Sequence, residues 1–199
     1  MTTTAHFWFD PTCPFTWATS RWLRDTAPAQ SAQVEWHLMS LAVLNDGNEV
    51  PEQYRAGMAL SWRPLRLLAA ARRTADNAAV GALFTALGTR MHDQRRTVDD
   101  ALLAESLAEA GLPADLLAAA DDTAYDDDVR AGHAEAQERV GTESGSPVLA
   151  LGDGPAWFGP VVPPVPTGQA ATDLWQGLVA LSSVAQFSEL KRGRLPLHG

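Results

Sequence analysis

The fold is decided near the N-terminus, by the stretch Phe7-Trp8-Phe9-Asp10-Pro11-Thr12-Cys13-Pro14-Phe15-Thr16-Trp17. It contains the only cysteine of the 199 residues, at the point where an apolar, aromatic strand pattern stops and a helical pattern starts. The first N–H groups of a helix lack intrahelical partners and the helix dipole is positive at that end, so a thiolate there is favoured over a thiol. The sequence therefore predicts a Cys13 with a lowered pKa that acts as a nucleophile.

Two neighbours support this interpretation of Cys13. Pro14 fits the first helical turn, where its missing N–H costs nothing and its fixed φ suits the helix. Thr16 lies three residues after the cysteine, about one turn away, so its hydroxyl can donate a hydrogen bond to the sulfur. We predict that Cys13 and Thr16 are the catalytic pair. The alternatives are a buried structural cysteine and a threonine that bonds only to the backbone.

The flanking patterns predict a β-α-β unit. Residues 5–10 form a short apolar strand, residues 14–27 a helix, and residues 33–39 an alternating strand with one buried face. A β-α-β run of this length implies two parallel strands joined by a right-handed crossover. This is how a thioredoxin fold begins.

The rest of the chain predicts an α/β protein, a thioredoxin fold with a large all-helical insertion between its second and third strands. Residues 40–64 resemble a loop, after which the sequence is rich in alanine and leucine with helical spacing. We therefore assign residues 65–140 to an inserted helical domain. Residues 1–64 and 141–199 form the thioredoxin-like domain, with strands at 148–151 and 156–158 and a last helix from Thr167 to about Leu190.

The composition limits the classes of function. A net charge of −9 and a pI near 4.9 oppose nucleic-acid binding, which needs clustered lysine and arginine. We expect no targeting segment and no membrane helix. A single cysteine suits the reducing cytoplasm, where we expect this chain to work as a monomer or a homodimer.

The stretch from Asp10 to Trp17 resembles the active-site segment of the DsbA-like branch of the thioredoxin superfamily. Within that branch, the similarity is to the actinobacterial mycothiol-dependent reductases. It continues through Ser40-Leu41-Ala42-Val43-Leu44-Asn45, Ala86-Leu87-Gly88-Thr89-Arg90-Met91-His92, Phe158-Gly159-Pro160-Val161 and Glu189-Leu190-Lys191-Arg192, and so spans nearly the whole chain. The main departure is Thr16, because family members of the Cys-Pro-Trp-Cys type have a second, resolving cysteine at this position.

The resemblance implies a cytoplasmic thiol-disulfide oxidoreductase, or a reductase that depends on a low-molecular-weight thiol. It implies no bound cofactor, mycothiol as the co-substrate thiol, and a small electrophile or disulfide as the second substrate. It also implies that the proline after Ser146 is cis and lies beside Cys13. The residues expected to bind the thiol or the substrate are Pro14, Phe15, Asn45, His92, Ser146 and Pro147. Because Cys13 has no second cysteine to resolve its mixed disulfides, the expected mechanism is monothiol.

Two other functions remain open at this stage. The kappa-class glutathione transferases and the 2-hydroxychromene-2-carboxylate isomerases share this inserted fold, with a serine where Cys13 stands, and activate a bound thiol. A thioredoxin fold that lost its resolving cysteine could also serve as a non-catalytic binding module. No metal site is predicted, because His37 is assigned to the polar phase of the strand at residues 33–39, and His6 and His133 have no partners at ligand spacing.

Overall fold

The structure is a computed structural model that describes residues 2–49 and 52–193. Its helices and strands follow one another in this order: β1 (Thr3–Phe9), α1 (Pro14–Thr26), a 3-10 turn (Pro28–Gln30), β2 (Ala32–Leu38), α2 (Leu41–Leu44), α3 (Glu52–Thr74), α4 (Asn77–Gly88), a π-helical segment (Thr89–Asp93), α5 (Asp100–Glu109), 3-10 segments (Ala114–Asp121 and Thr123–Tyr125), α6 (Asp126–Val140), β3 (Val148–Leu151), β4 (Ala156–Phe158) and α7 (Gly168–Ser182).

The four strands form one mixed sheet in the order β2-β1-β3-β4. β1 and β2 are parallel, with Phe7 opposite Trp36. The pairs β1–β3 and β3–β4 are antiparallel, and Phe7 also lies opposite Leu149. The predicted β-α-β opening and the thioredoxin fold with a helical insertion are confirmed.

The sheet buries both faces, as the period-two alternation of strand side chains requires. The larger core packs against α1, α3 and α4, and the Phe9 ring stacks on Phe84 with centroids 4.0 Å apart. The smaller core lies under α6 and consists of Trp8, Met39, Ala136, Val148 and Ala150. β1 is thus covered on both sides, which fixes the position of the turn that follows it.

The prediction that residues 40–64 form a loop is wrong for the described part of that range. It contains α2 and the first half of α3, and Pro64 lies inside α3. Proline costs a helix one hydrogen bond, but Pro64 and Leu65 are buried and Arg63 holds Asp121 through two hydrogen bonds of 2.8 and 2.9 Å. Tertiary packing therefore outweighs the local signal. Between α2 and α3 the chain does turn at Gly47, which has φ of +78°.

Two other boundaries differ from the sequence interpretation. α7 ends at Ser182 and not near Leu190, since the residues beyond it are largely exposed and Leu190 is 82% exposed. A helix end without an apolar face to bury has little to stabilise it. The proposed boundary between residues 64 and 65 lies inside α3. The division into two domains stays a prediction, and residues 194–199 of the second segment lie outside the described residues.

Gly132 tests how closely α6 packs on the sheet. A Cβ at this position would lie 2.5 Å from the Leu38 carbonyl oxygen, a backbone atom that cannot move away independently. Gly132→Ala should lower the free energy of unfolding by about 1–3 kcal/mol, because overpacking must push α6 off β2. Urea denaturation measures this.

The matched control is Gly177→Ala in α7, where an added Cβ meets nothing within 4 Å. Helix propensity should make that change neutral or stabilising by up to about 1 kcal/mol. Equal effects of the two substitutions would contradict the close packing of α6.

Candidate active site

Cys13 lies where β1 gives way to α1. Its backbone N–H donates to the Asp10 carbonyl at 3.1 Å, closing the turn, and its own carbonyl accepts the first helical hydrogen bond from Trp17 at 3.0 Å. With φ of −81° and ψ of 115°, Cys13 is the N-cap of a helix whose first residue is the exposed Pro14. The structure thus places the sulfur at a helix N-terminus, as the sequence pattern indicates.

The loop before β3 forms the facing wall. The Ser146–Pro147 peptide is cis, and the Ser146 carbonyl oxygen lies 3.6 Å from Cys13 Sγ. Ser146 Oγ accepts a hydrogen bond of 2.9 Å from the Asp10 N–H. Two segments more than 130 residues apart in sequence are therefore joined around one sulfur atom.

A chain of hydroxyl groups leads to the sulfur. Thr16 Oγ1 lies 2.6 Å from Ser146 Oγ and is fully buried. Thr16 also hydrogen-bonds Cys13 and lowers the pKa of its thiol. A hydroxyl has one proton, so when Thr16 donates to Sγ, Ser146 must donate to Thr16. Ser146 thereby orients the Thr16 hydroxyl toward the sulfur.

The pKa of the Cys13 thiol differs from what the sequence predicts. Burial raises the pKa of the Cys13 thiol, and the nearby Asp10 charge raises it further. The Thr16 hydroxyl and the N–H groups of Thr16 and Phe15 lower it, yet the net pKa is raised. The expected lowering is wrong for this structure, because the loss of hydration at a residue that is only 6% exposed outweighs the stabilisation of the thiolate by these three donors. At neutral pH the resting group is a thiol that donates to the Ser146 carbonyl.

Asp10 is a site residue that the sequence reasoning missed. Its carboxylate accepts hydrogen bonds from Thr12 N and Oγ1 at 2.8 and 2.7 Å, and from the Leu41 N–H at 2.8 Å. Burial raises its pKa, although these donors oppose the shift. Asp10 ties the active-site turn to the start of α2. The sequence did contain a signal for this role, since Asp10 is an acidic residue directly after an aromatic strand.

His92 reaches the active-site turn from the π-helical segment. Its Nε2 lies 2.8 Å from the Pro11 carbonyl oxygen, which can only accept, so Nε2 carries a proton. Burial lowers the pKa of His92, so the ring is neutral at pH 7. The ring lies against Trp17 with centroids 5.9 Å apart, and Trp17 Nε1 donates to Asp93 at 2.9 Å. The helical insertion thus contributes to the site by binding the active-site turn at Pro11, rather than by a contact with the sulfur.

Gly88 makes this arrangement possible. A Cβ there would lie 2.2 Å from the Trp17 ring, so only glycine lets the indole pack on α4. The outer face of the indole carries Arg21, whose guanidinium carbon is 3.8 Å from a ring centroid. Burial lowers the pKa of Arg21 to about 10, which still leaves it charged at neutral pH.

The other candidate residues lie at different distances from the chemistry. Phe15 is half-buried beside the sulfur, while Pro147 is buried and its carbonyl accepts from the Gly159 N–H at 2.8 Å. Asn45 caps α2, since its side-chain amide donates to the Leu41 carbonyl at 2.7 Å. It also lines a cavity of about 320 Å³ with Trp62 of α3. Of these residues, Asn45 belongs to a neighbouring surface rather than to the contacts of Cys13.

The expectation that His6 has no partner at ligand spacing is wrong. His6 Nδ1 lies 3.1 Å from His37 Nε2, and both approach Glu35. His37 was assigned to the polar phase of β2, but it is buried, and burial lowers its pKa to about 4. A spacing rule applied along one segment cannot detect residues on neighbouring parallel strands.

In residues 2–49 and 52–193, none of the helices combines the length and the apolar character needed to span a lipid bilayer.

The fold is that of DsbA-like thioredoxin-fold proteins. One solved structure, a probable DsbA oxidoreductase SCO1869 from Streptomyces coelicolor, superimposes with a TM-score of 0.63 at 23% identity, covering 96% of this chain and 93% of that one. The structure of a 2-hydroxychromene-2-carboxylate isomerase superimposes with a TM-score of 0.63 at 15% identity, covering 90% of this chain and 95% of that one.

The family model described as mycothiol-dependent nitroreductase Rv2466c matches residues 12–192. A relative from Mycobacterium tuberculosis, the Uncharacterized protein Rv2286c, is 33% identical over 196 residues, which is 98% of this chain and 84% of the relative. The chain belongs to the Rv2466c-like family. The resemblance inferred from the active-site stretch is confirmed, and the chain is an oxidoreductase of this family.

Thr16→Val tests the contact between hydroxyl and sulfur. The valine keeps the volume but removes the donor, so the Cys13 pKa should rise further and alkylation at fixed pH should slow. The pH dependence of the ultraviolet thiolate absorbance, followed together with alkylation, measures both effects.

Thr19→Val is the matched control, since Thr19 is buried in the same helix but donates to the Phe15 and Pro160 carbonyls. It should leave the Cys13 titration in place. A Thr16→Val curve that overlays the parent would mean that the hydroxyl does not contact the sulfur.

Proposed function

We propose that this chain is a cytoplasmic monothiol reductase in which Cys13 is the sole nucleophile and a low-molecular-weight thiol closes the cycle. The observation that carries the proposal is that the only cysteine faces the Ser146 carbonyl while a threonine hydroxyl occupies the position of a resolving thiol. Intramolecular resolution is excluded by composition. Any mixed disulfide on Cys13 must therefore be released by an external thiol.

The proposed cycle balances with small thiols alone. The resting Cys13 thiol gives its proton to solvent, and the thiolate attacks the small-thiol sulfur of a mixed disulfide, forming a new S–S bond as the substrate thiolate leaves and takes a proton from solvent. A second small-thiol molecule gives up its proton and attacks the Cys13 disulfide. Cys13 returns as a thiolate, and the two small thiols leave joined as a disulfide. The substrate sulfur has gained the electrons that the small thiols lost.

The site residues divide this work. The Thr16 hydroxyl and the N–H groups of Phe15 and Thr16 stabilise the thiolate, which leaves in the second half of the cycle. The Ser146 backbone, in the cis-proline loop that precedes β3, can pair with a peptide-like portion of the bound thiol, as an added strand would. Cys13 reacts, Thr16 donates to it, and Ser146 holds the incoming group.

The remaining predicted binding residues supply the walls for the thiol and the substrate. Pro14 is exposed next to the sulfur and Phe15 is half-buried, so an aromatic surface borders the reacting atom. His92 and Pro147 fix the two loops that face each other, while Asn45 lies on the neighbouring α2–α3 surface. A small electrophile or a small mixed disulfide suits this setting.

Mycothiol is the thiol we propose, because the matching family is described as mycothiol-dependent. The same description makes nitro compounds candidate electrophiles. A small cytoplasmic thiol also agrees with a chain that has one cysteine and no possible internal disulfide. The cytoplasmic location belongs to this proposal, and the choice between monomer and homodimer stays a prediction.

One observation favours a second candidate function. The raised pKa keeps Cys13 protonated, and a protonated sulfur can donate a hydrogen bond to a bound thiolate as the serine of the isomerases would. The chain would then activate the small thiol for transfer or isomerisation without forming a disulfide. A non-catalytic binding module is the third alternative and makes no use of the Thr16 donor.

Intact mass after incubation with mycothiol disulfide and with glutathione disulfide tests the proposal. The parent should gain one small-thiol adduct, preferentially from mycothiol disulfide, and added free thiol should remove it. Cys13→Ser should gain none and should lose thiol-dependent reduction. Full activity in Cys13→Ser would support transfer or isomerisation, and no adduct on the parent would support the binding module.

Thr16→Cys tests the geometry of the missing resolving cysteine. Positions 13 and 16 are one helical turn apart, so oxidant should close a disulfide between them, detectable as a loss of two hydrogens in intact mass and of both free thiols. Thr19→Cys, one turn further along, should not form an intrachain disulfide with Cys13. Persistent free thiols in oxidised Thr16→Cys would show that position 16 points away from Cys13.

A further inference from the structure

A second group of ionisable side chains lies on the sheet face covered by α6. In the parallel register of β1 and β2, His6 is opposite Glu35 and Trp8 is opposite His37. Side chains two residues apart share a face of a strand, so His6, Glu35 and His37 project from the same side. We propose that these three residues form a zinc-binding site with one open coordination position.

The separations of the ligand atoms suit a tetrahedral metal. His6 Nδ1 lies 3.1 Å from His37 Nε2 and 3.4 Å from a Glu35 carboxylate oxygen, and His37 Nε2 lies 4.0 Å from the other oxygen. Zinc binds nitrogen and oxygen ligands at about 2.0–2.2 Å. With tetrahedral angles, neighbouring ligand atoms are then about 3.4 Å apart. One ligand atom from each residue lies within 4.8 Å of the other two, so rotation of the exposed Glu35 side chain can bring one oxygen and the two nitrogens to three corners of a zinc tetrahedron.

His37 is held as a ligating histidine would be. Its side chain is only 10% exposed and its ring stacks on Trp8 with centroids 4.6 Å apart. The far ring nitrogen, Nδ1, is buried without a hydrogen-bond partner in the described part of the chain and faces a Glu135 carboxylate oxygen at 3.9 Å. A small shift of the Glu135 side chain, which is 42% exposed, would bring its carboxylate within hydrogen-bond distance of Nδ1 and favour the tautomer that presents Nε2 to a metal.

The charges around the cluster are of both signs. Glu35 and Glu135 are close to the imidazoles and favour a cation, whereas Arg72 and Arg139 oppose positive charge at His37. The negative charge that would offset a bound zinc ion therefore comes from Glu35, its carboxylate ligand. His6 and Glu35 have side chains that are 25% and 48% exposed, so solvent reaches the open side of the cluster. Water can therefore supply the fourth ligand, the arrangement of zinc sites with three protein ligands.

The site would join the edge strand β2 to β1 and is separate from the thiol chemistry. His6 lies within β1, and Glu35 and His37 lie within β2. Cys13 follows the end of β1 and faces the loop at Ser146. Zinc held by neutral imidazole and carboxylate needs no thiolate. The function proposed for Cys13 does not depend on this site.

The test is a titration of the metal-free, full-length protein with Zn²⁺ by calorimetry, with the bound metal counted by elemental analysis. We expect one zinc per chain. Glu35→Gln and His6→Gln should each weaken binding by roughly 10- to 100-fold or more, since even outer-shell changes cost that much. Co²⁺ should give the intense visible absorption of a four-coordinate ion, which both variants should lose.

Two control variants locate the site. Cys13→Ser removes the only thiol, and Glu143→Gln changes an exposed glutamate outside the cluster; both should bind zinc as the parent does. Zinc that binds equally well to Glu35→Gln and His6→Gln, zinc lost with Cys13→Ser, or no zinc bound by the parent would each overturn the proposal. Thermal unfolding of the metal-free variants confirms that they are folded, and Glu35→Gln alone decides the matter if His6→Gln is unstable.

Discussion

The structure depends on the junction between Ser146 and the turn that carries Cys13. Three contacts form it: the sulfur to the Ser146 carbonyl at 3.6 Å, and Ser146 Oγ to the Asp10 N–H and the Thr16 hydroxyl at 2.9 and 2.6 Å. They bring the start of α1 against the start of β3, although the helical insertion separates the two in sequence. Because the sheet is buried on both faces, neither β1 nor β3 can shift without disturbing a core. The fold thus holds one sulfur between a helix N-terminus and a backbone carbonyl.

That position both enables and restrains the chemistry. The helix N–H groups and the Thr16 hydroxyl favour a thiolate, while burial and the Asp10 carboxylate favour a thiol, and the second pair prevails in the resting protein. A protonated thiol protects a lone cysteine from indiscriminate reaction, while a thiolate of high pKa is intrinsically a strong nucleophile. Reactivity then depends on a partner that fits the site. This agrees with a family described by its dependence on one small thiol.

The sequence predicted the fold and the position of Cys13 more accurately than it predicted the contacts around the site. A lone Cys-Pro at a strand-to-helix change predicted the placement of Cys13, and the family resemblance predicted the cis proline after Ser146. Local signals misplaced α3, because burial of Pro64 and its neighbours compensates for a lost hydrogen bond. What the sequence mainly failed to predict was contacts between residues that lie far apart in the chain. The desolvation of Cys13, the three donors to Asp10 and the meeting of His6 with His37 all arise from tertiary neighbours that no spacing along the chain encodes.

The central claim is that a buried, protonated Cys13 reacts because the site recognises a small thiol. The most direct test compares its reaction rates in the native and the urea-unfolded protein, with iodoacetamide and with mycothiol disulfide. Folding should slow the reaction with iodoacetamide and accelerate the reaction with mycothiol disulfide. Folding that slows both reactions would show that the fold only shields the sulfur and does not recognise the small thiol.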